Sequence, residues 1–374
     1  MNKNILFLVT EDWYFLSHRL ALALKCKAIG YNVYVACNDT GKIKEISSYG
    51  FKCYNLNIQR GSFSFYSFLK SINEVRKVLK NTNTLLLHAV SMQSIIISIL
   101  YVIFNKNIKL VAAVTGLGTL FLANSLKDRI IKLIVTLILT VGFIRKNTRV
   151  IVQNKDDQQF VKRNCFCNIN KIELIRGSGV DIHFHQKINE PDYPPITIAY
   201  VGRLIKDKGV ENIIEAFKLA YKENNKIKLL LVGSLDTKNK RPLSNNYIKE
   251  SIRENINIEH LGEIEDIRIV WKRAHIAILA SKREGLPKSL LEAAAAGRAI
   301  ISTDVPGSRE IALKSLNAEV VCLGNNKALA KAILYLSENH KIRKMYGIKS
   351  RELVESDMSQ ENVIKKILNL YKNF

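Results

Sequence analysis

Short apolar runs alternate with helix-spaced segments along most of this 374-residue chain. The predicted strands of the first half lie at residues 4–9, 32–37, 84–88, 110–114, 149–152 and 172–175. Buried strands of parallel sheets are short and apolar, and helices connect them. The alternation therefore predicts an α/β fold, with a parallel sheet covered on both faces.

A proline-bearing segment interrupts this pattern. Residues 183–195 contain Pro191, Pro194 and Pro195 and lack apolar periodicity, which is typical of a linker. The alternation then resumes, with predicted strands at residues 197–201, 228–232, 257–261, 276–279, 299–302 and 319–322. We therefore predict two doubly wound domains and a returning helix, with bounds at residues 1–185, 186–196 (the linker), 197–357 and 358–374. Ligands of open parallel sheets bind beyond the carboxyl ends of the strands, so the loops there should line a central cleft.

The charge is unusual for an otherwise ordinary globular composition. The chain has 57 Lys and Arg against 33 Asp and Glu, a formal net charge of +24. Residues 1–190 hold 26 basic and 11 acidic residues, a net of +15, which leaves +9 for the rest. Such a field favours nucleic acid, anionic lipid or phosphate-bearing substrates as partners. Composition alone does not choose among them.

One apolar stretch, residues 130–144, has two interpretations. It is shorter than the ~20 residues of a membrane-spanning helix, so it is either a core helix or a helix lying in a membrane interface. The second interpretation is favoured by flanking cations, which suit anionic headgroups. These are Lys127, Arg129, Lys132, Arg145, Lys146 and Arg149. Residues 94–104 allow the same two interpretations. Residues 1–10 predict a first strand rather than a signal peptide.

The six cysteines do not form a metal or disulfide pattern. They are scattered, without a CxxC pair or an adjacent histidine cluster, and no DxD triplet occurs in the chain. We therefore expect reduced thiols, no metal site and no cofactor.

The first chemical motif is residues 201–209, between a predicted strand and a predicted helix. Gly202 lets the backbone turn closely, while Arg203 and Lys208 supply donors that suit a diphosphate. The alternative is a solvated basic turn.

The second motif is residues 283–292. Gly285 and Pro287 stand where a helix would begin, and free N–H groups at a helix start bind anions. Glu284 should lie just before the helix and Glu292 one to two turns into it. Carboxylates accept hydrogen bonds from sugar hydroxyls. The alternative is a charge at the helix N-terminus and an exposed or capping glutamate.

The first half offers a weaker set of candidates. Residues 10–19 form the predicted first strand–helix loop, with a serine as the helix N-cap and a histidine in the first turn. The glycines of residues 115–119 permit close backbone approach to a ligand, and a further histidine ends a predicted strand. Each histidine is equally well explained as a structural side chain. The candidates are Ser17, His18, His88, Thr115, Gly116 and Gly118.

These motifs resemble a known family. The stretch GRLIKDKG at 202–209 and the pair Glu284/Glu292, followed by AAAAGR, resemble the retaining GT-B glycosyltransferases of family 4. EDWYFLSHRLALA from residue 11, VTGLGTLF at 114–121 and IRGSGVD at 175–181 resemble a bacterial subgroup that extends saccharides on undecaprenyl diphosphate. The resemblance implies two Rossmann-like domains facing a cleft, with a C-terminal helix crossing back to the first.

The resemblance also implies roles for single residues. Arg203 and Lys208 would neutralise the donor diphosphate, and Glu284 would hold donor-sugar hydroxyls, which makes these three the catalytic candidates. Glu292 would bind the ribose. The remaining donor-binding candidates are Gly202, Gly262, Ile264, Gly285, Leu286 and Pro287. Many family members carry a histidine where this chain has Thr115, and His18 and His88 are the candidates to replace it.

The expected activity follows from the resemblance. It is retaining, metal-independent transfer of a hexose or N-acetylhexosamine from a nucleoside-diphosphate sugar, with UDP preferred, to a polyprenyl-diphosphate-linked saccharide. Such an enzyme would serve O-antigen, capsule or other glycan biosynthesis at the inner face of the plasma membrane. The alternatives are a GT-B sugar-nucleotide epimerase and a basic nucleic-acid- or anion-binding protein. Paired carboxylates beside phosphate-binding loops disfavour nucleic acid as a partner.

Overall fold

The computed structural model describes residues 3–58, 65–117, 125–236, 242–255 and 257–374, with the backbone alone for 65–68. The chain forms two compact units. Unit 1 is Met1–Ser178 with Glu361–Phe374, and unit 2 is Gly179–Gln360. Each is built on one parallel sheet, which confirms the predicted α/β class.

The sheet of unit 1 has seven strands in the order β3-β2-β1-β4-β5-β6-β7. Their bounds are β1 Asn4–Glu11, β2 Asn32–Asn38, β3 Lys52–Asn55, β4 Leu86–Val90, β5 Lys109–Val114, β6 Thr148–Val152 and β7 Ile172–Leu174. The helices that connect them are α1 Asp12–His18, α2 Leu20–Ala28, α3 Ile43–Ser48, α4 Phe65–Asn81, α5 Met92–Val102, α6 Leu126–Ile144 and α7 Lys155–Asn164. All pairings are parallel, so crossover helices cover both faces.

The sheet of unit 2 has six parallel strands in the order β10-β9-β8-β11-β12-β13. Their bounds are β8 Ile196–Val201, β9 Ile227–Val232, β10 Ile258–His260, β11 Ile276–Leu279, β12 Ala299–Thr303 and β13 Ala318–Val321. The helices are α8 Val210–Glu223, α9 Asn245–Glu254, α10 Arg268–Arg273, α11 Lys288–Ala295, α12 Asn326–Glu338 and α13 His340–Leu353. A π-helix at Val354–Met358 follows them.

The last helix, α14 (Gln360–Lys372), packs on the sheet of unit 1. Successive β1 side chains alternate between two cores. Leu6 and Leu8 face one core, and Ile5 and Phe7 face the other. The second core contains Ile367 and Tyr371 of α14. The C-terminal segment therefore completes one face of the first sheet.

The segment predicted as a linker is fixed to unit 2. Arg298 donates to Asn189 O over 2.9 Å, and Arg343 Nε lies 3.0 Å from Glu190 Oε1. Both arginines are fully buried, so these bonds hold charged groups that burial would otherwise destabilise. The division between units falls at Ser178/Gly179, ahead of the predicted linker at 186–196.

In the described part of the chain, no helix combines the length and hydrophobicity needed to cross a bilayer.

Candidate functional site

The two central strands of unit 2 bring the main candidates together. β8 and β11 are neighbours at the point where the strand order of the sheet reverses. Loops beyond the carboxyl ends of strands at such a point form the usual ligand site of an open parallel sheet. Lys208 follows β8, Glu284 follows β11, and Lys208 Nζ lies 2.6 Å from Glu284 Oε1. Both side chains are partly buried, which strengthens their attraction.

Arg203 is held at the same edge. Its guanidinium lies 2.7 Å from Asp236 Oδ2, beyond the end of β9. Its carbonyl accepts a 2.7 Å hydrogen bond from the hydroxyl of Tyr200, which is fully buried. Burial raises the pKa of Tyr200 well above its ordinary value, and the charge of Glu284 adds to the rise while Arg203 opposes it. Tyr200 is therefore a permanent donor that fixes the Arg203 backbone.

Two glycines allow the loops to meet. Gly209 has a φ of +69°, and a Cβ there would lie 2.1 Å from Ala280 O, beyond β11. Gly307 has a φ of +83°, and a Cβ there would lie 2.4 Å from Gly285 O. Because only glycine avoids both the strain and the clash, these positions set the close backbone packing behind the site.

Glu292 lies within α11 and is only 8% exposed. Lys288 Nζ lies 3.6 Å from Glu292 Oε1, one turn earlier. Burial raises the pKa of Glu292, and the neighbouring Lys288 lowers it in part. Pro287 caps the helix and accepts the N–H groups of Leu290 and Leu291. Glu292 thus lies one turn into the helix, as the sequence predicted.

The remaining predicted donor-side residues lie on loops of the same sheet. Gly262 follows β10, and its carbonyl accepts the N–H of Gly233 over 2.7 Å. His260 Nε2 lies 2.9 Å from Gly233 O. Ile264 and Leu286 are partly buried against the core of unit 2. The ends of β9 and β10 are therefore tied together beside the strand β8.

In unit 1, Thr115 and Gly116 directly follow β5 and are partly exposed. Gly118 lies outside the described residues. Asp12, which the sequence did not single out, accepts the N–H groups of Thr40 and Lys42 over 2.7 and 2.8 Å. Burial raises the pKa of Asp12, but hydrogen bonds led by the Thr40 hydroxyl outweigh it and lower the pKa overall. Asp12 thereby joins the start of α1 to the loop that follows β2.

The predicted N-cap at Ser17 is wrong. The polar stretch directly after β1 forms helix α1, which begins at Asp12. Ser17 therefore lies in the last turn of that helix. The Ser17 hydroxyl lies 2.6 Å from His18 Nδ1, and the His18 ring stacks on Tyr14 at 4.1 Å between centroids. His18 therefore lies in the last turn rather than the first.

The predicted position of His88 at a strand end is also wrong. β4 continues to Val90, so His88 lies within the strand, where it is fully buried. Its Nδ1 is hydrogen-bonded to the hydroxyl of Tyr371 on α14. Burial lowers the pKa of His88 well below its ordinary value, and the charge of Arg19 lowers it further. His88 is a structural residue that joins α14 to the sheet.

Two family models match the chain. "Glycosyl transferases group 1" matches residues 181–353, and "Glycosyl transferase 4-like" matches residues 4–154. Both models describe glycosyltransferases, and the chain is a glycosyltransferase.

Three proteins similar to this glycosyltransferase illustrate the relationship. The capsular polysaccharide biosynthesis glycosyltransferase CapM of Staphylococcus aureus is 27% identical over 191 residues, 51% of this chain and 48% of CapM. The match thus spans about half the length of that relative. An N,N'-diacetylbacillosaminyl-diphospho-undecaprenol alpha-1,3-N-acetylgalactosaminyltransferase of Campylobacter jejuni is 25% identical over 347 residues, 89% of this chain and 88% of the relative.

The third is a solved structure, that of Anabaena HepE in complex with UDP and glucose. It superposes with a TM-score of 0.78 at 16% identity and covers 100% of both chains. This likeness confirms the GT-B fold that the sequence resemblance implied.

The two matched regions of this glycosyltransferase fall in different units. The group 1 match lies within unit 2, which carries Arg203, Lys208, Glu284 and Glu292, and the 4-like match lies within unit 1.

Sequence reasoning missed Tyr200, Asp236 and His260, because ordinary strand and loop positions gave no signal for them. In the described residues, no three His, Cys, Asp or Glu side chains come together as a metal site.

Proposed function

We propose that this glycosyltransferase moves a hexose or N-acetylhexosamine from a UDP-sugar to a saccharide carried on undecaprenyl diphosphate. The observation that carries the proposal is the Lys208–Glu284 pair, with Arg203 beside it, at the β8/β11 edge of unit 2. Two similar proteins support the proposed donor and the proposed acceptor. The HepE structure is a complex with UDP and glucose, and the Campylobacter relative is named for action on a diphospho-undecaprenol-linked saccharide.

Electrostatics gives the cations their proposed role. When the glycosidic bond to the donor breaks, negative charge grows on the departing nucleoside diphosphate, and positioned cations stabilise it. Arg203 and Lys208 now face Asp236 and Glu284. A bound diphosphate would take over these two cations, and Glu284 would then be free to accept hydrogen bonds from sugar hydroxyls.

The neighbouring groups complete a donor site in this proposal. Glu292 accepts the ribose hydroxyls, with its carboxylate buried and Lys288 as its ion-pair partner. The backbone of 285–287 lines the phosphates and the sugar. Gly262 and Ile264 border the nucleobase at the ends of β9 and β10.

We propose retention of the anomeric configuration without a divalent metal. A phosphate oxygen of the leaving diphosphate accepts the proton of the incoming hydroxyl on the same face of the sugar, so the carbohydrate C–O bond breaks as the new one forms. The anomeric coupling constant of the product in NMR tests retention. Full activity in EDTA tests metal independence, and an inverted product or loss of activity in EDTA would refute the respective part.

The acceptor side of the proposal lies on unit 1. The net charge of +15 over residues 1–190 suits a lipid diphosphate and the membrane that holds it. Thr115 and Gly116 after β5, with Ser17 and His18 on α1, are the proposed acceptor-side residues. The protein would then work at the cytoplasmic face of the plasma membrane.

Donor binding is tested by thermal protection with UDP-, GDP- and ADP-sugars. We expect UDP-sugars to raise the Tm of the wild type, and Lys208→Met to abolish that rise. The matched control is Lys218→Met, since Lys218 Nζ also lies 2.6 Å from a carboxylate, Glu254 Oε2, in unit 2. If no sugar nucleotide protects the wild type, the proposal is wrong.

A further inference from the structure

Helix α6 carries an apolar face turned to solvent in the described structure. Seven large aliphatic side chains on it are between 47% and 78% exposed. We call them the α6 face: Leu126, Ile130, Leu133, Ile134, Leu137, Val141 and Ile144. Their spacing of three and four residues places them along one side of the helix. Soluble proteins expose such contiguous apolar surface chiefly where something binds.

The opposite side of α6 is apolar as well. Val135, Leu139 and Phe143 are buried in the core of unit 1, and a Cβ on Gly142 would lie 2.4 Å from Ile99 on α5. The helix is therefore packed by one side and still presents a second apolar side. The two interpretations of residues 130–144, core helix and interfacial helix, each describe one side of the same helix.

Two further exposed apolar side chains lie on loops near the end of α6. Phe104 is 86% exposed and Phe166 is 76% exposed. The loops that carry them are joined to the last turn of α6. Arg145 donates to Asn105 O over 2.8 Å, and Cys167 Sγ lies 3.8 Å from Phe143 O. Two exposed aromatic rings thus lie on loops that contact the C-terminal end of α6.

Cations stand at both ends of the α6 face. Lys127 and Arg129 are exposed in the first turn, and Lys106 and Lys146 are exposed beside the last. A second copy of this chain would bring like charges together in either orientation, which disfavours self-association through this face. An anionic surface would pair with both ends at once.

Two of the flanking arginines predicted to meet headgroups, Arg145 and Arg149, have partners within unit 1. Arg145 donates to the carbonyls of Asn105, Lys106 and Asn147, and burial lowers its pKa. Arg149 lies over the Phe374 ring at 5.2 Å and donates to Asn373 O. Both are used within unit 1.

We propose that the α6 face docks unit 1 on an anionic lipid bilayer. The helix lies parallel to the membrane plane, with its aliphatic side chains and the rings of Phe104 and Phe166 at the acyl boundary. Lys127, Arg129, Lys106 and Lys146 contact the headgroups. At 1.5 Å per residue, the helix supplies a contact about 28 Å long.

The position of α6 links this surface to the acceptor side. A helix that connects two parallel strands runs antiparallel to them. Since α6 connects β5 to β6, it begins at the sheet edge where Thr115 and Gly116 follow β5. This step rests on the proposed function, because only a lipid-linked acceptor gains from a bilayer beside that edge.

The test is sedimentation of the full-length chain with vesicles of phosphatidylcholine, with or without phosphatidylglycerol. We expect the wild type to bind the anionic vesicles, and to bind more weakly as salt rises. Leu133→Gln with Leu137→Gln removes apolar contact, and Lys127→Glu with Arg129→Glu reverses charge. Each pair should weaken binding about tenfold or more.

Matched controls lie on unit 2. Leu219→Gln with Leu316→Gln changes exposed leucines, and Lys327→Glu with Lys331→Glu changes exposed lysines on α12. Both should bind as the wild type does. Because the changed side chains are on the surface, we expect equal Tm values across the set. Equal Tm values would show that the α6 substitutions act on binding and not on folding.

Three outcomes would overturn the docking proposal. They are no binding of the wild type to anionic vesicles, equal binding by α6 variants and controls, or a lipid-free dimer that Leu133→Gln with Leu137→Gln dissociates. Vesicle binding needs no sugar nucleotide, and the α6 variants should keep their thermal protection by UDP-sugars. Failure of docking and failure of the proposed transfer chemistry are therefore separate results.

Discussion

Lys208 and Glu284 form an ion pair, with 2.6 Å between Nζ and Oε1, across the two strands at which the sheet order of unit 2 reverses. The residues are 76 positions apart in the chain, and each reaches the pair from the loop after its strand. The pair therefore depends on the doubly wound topology. It places a cation and a carboxylate where such sheets bind ligands.

The loop packing behind this pair predicts a difference between two glycine substitutions. Gly324→Ala meets open space and suffers only from its φ of +79°, which costs about 1 kcal/mol. Gly209→Ala has similar strain and also a clash with Ala280 O, so it should cost about 2 to 4 kcal/mol. Urea unfolding measures both. Equal losses would contradict the packing described between the loops after β8 and β11.

The position of Glu292 predicts how the protein distinguishes ribose from deoxyribose. If its carboxylate accepts the ribose hydroxyls, the wild type should bind UDP about tenfold more tightly than 2′-deoxy-UDP. Glu292→Gln should lose most of that preference, while Glu254→Gln, on the surface at the end of α9, should keep it. Calorimetric titration gives both Kd values. An unchanged preference in Glu292→Gln would assign ribose recognition elsewhere.

Buried His275 predicts a loss of stability in acid. Its Nδ1 accepts the N–H of Thr197, and its Nε2 donates to Pro191 O, so the neutral ring is required. Burial lowers the pKa of His275 to about 4, with Glu190 raising it and Arg343 and Arg298 lowering it. As the pH falls, the unfolded chain therefore binds a proton at His275 before the folded chain does. Stability from this group is therefore complete above about pH 6.5 and is lost as the pH falls toward about 4.

At a pH of about 5, the low pKa of His275 should reduce the free energy of unfolding by about 2 kcal/mol relative to neutral pH. Urea unfolding between neutral pH and pH of about 5 measures it in the wild type and in His275→Asn. The variant should show a shallower pH dependence, whereas His183→Asn, at an exposed position, should follow the wild type. Identical pH dependence for wild type and His275→Asn would show that the pKa of His275 does not differ between the folded and unfolded states.

The contact between His88 and Tyr371 predicts that the C-terminal helix contributes to the stability of unit 1. Tyr371→Phe leaves a buried ring nitrogen without its partner and should cost about 1 to 3 kcal/mol. Tyr335→Phe, at an exposed position, is the control. Hydrogen exchange of α14 amides gives the local effect. Unchanged protection of α14 in Tyr371→Phe would mean that other contacts alone hold the helix.

Periodicity in the sequence predicted the sheets well, because central parallel strands are buried on both faces. The predicted strand at 276–279 coincides with β11, and that at 4–9 lies within β1. Strand β3, Lys52–Asn55, was missed. It lies at the edge of the sheet, where a partly exposed strand needs no apolar run. Helix α13 was missed because much of its surface is polar.

The site was predicted in part, and the limits were geometric. Motif residues such as Lys208 and Glu284 follow strands, so their meeting could be expected from topology. Asp236 and Tyr200 were not predicted, since nothing in the local sequence marks a partner of Arg203. The sequence placed His88 at the end of its strand. Because β4 continues for two more residues, to Val90, His88 lies inside the strand and is buried in the core.

The central claim is tested most directly by mass spectrometry of an undecaprenyl-like diphosphate saccharide acceptor incubated with UDP-sugars. We predict that the wild type adds the mass of one hexose or one N-acetylhexosamine. Lys208→Met and Glu284→Gln should lower the yield about a hundredfold or more, whereas Lys218→Met should match the wild type. Product formation by Lys208→Met at the wild-type rate would contradict the account.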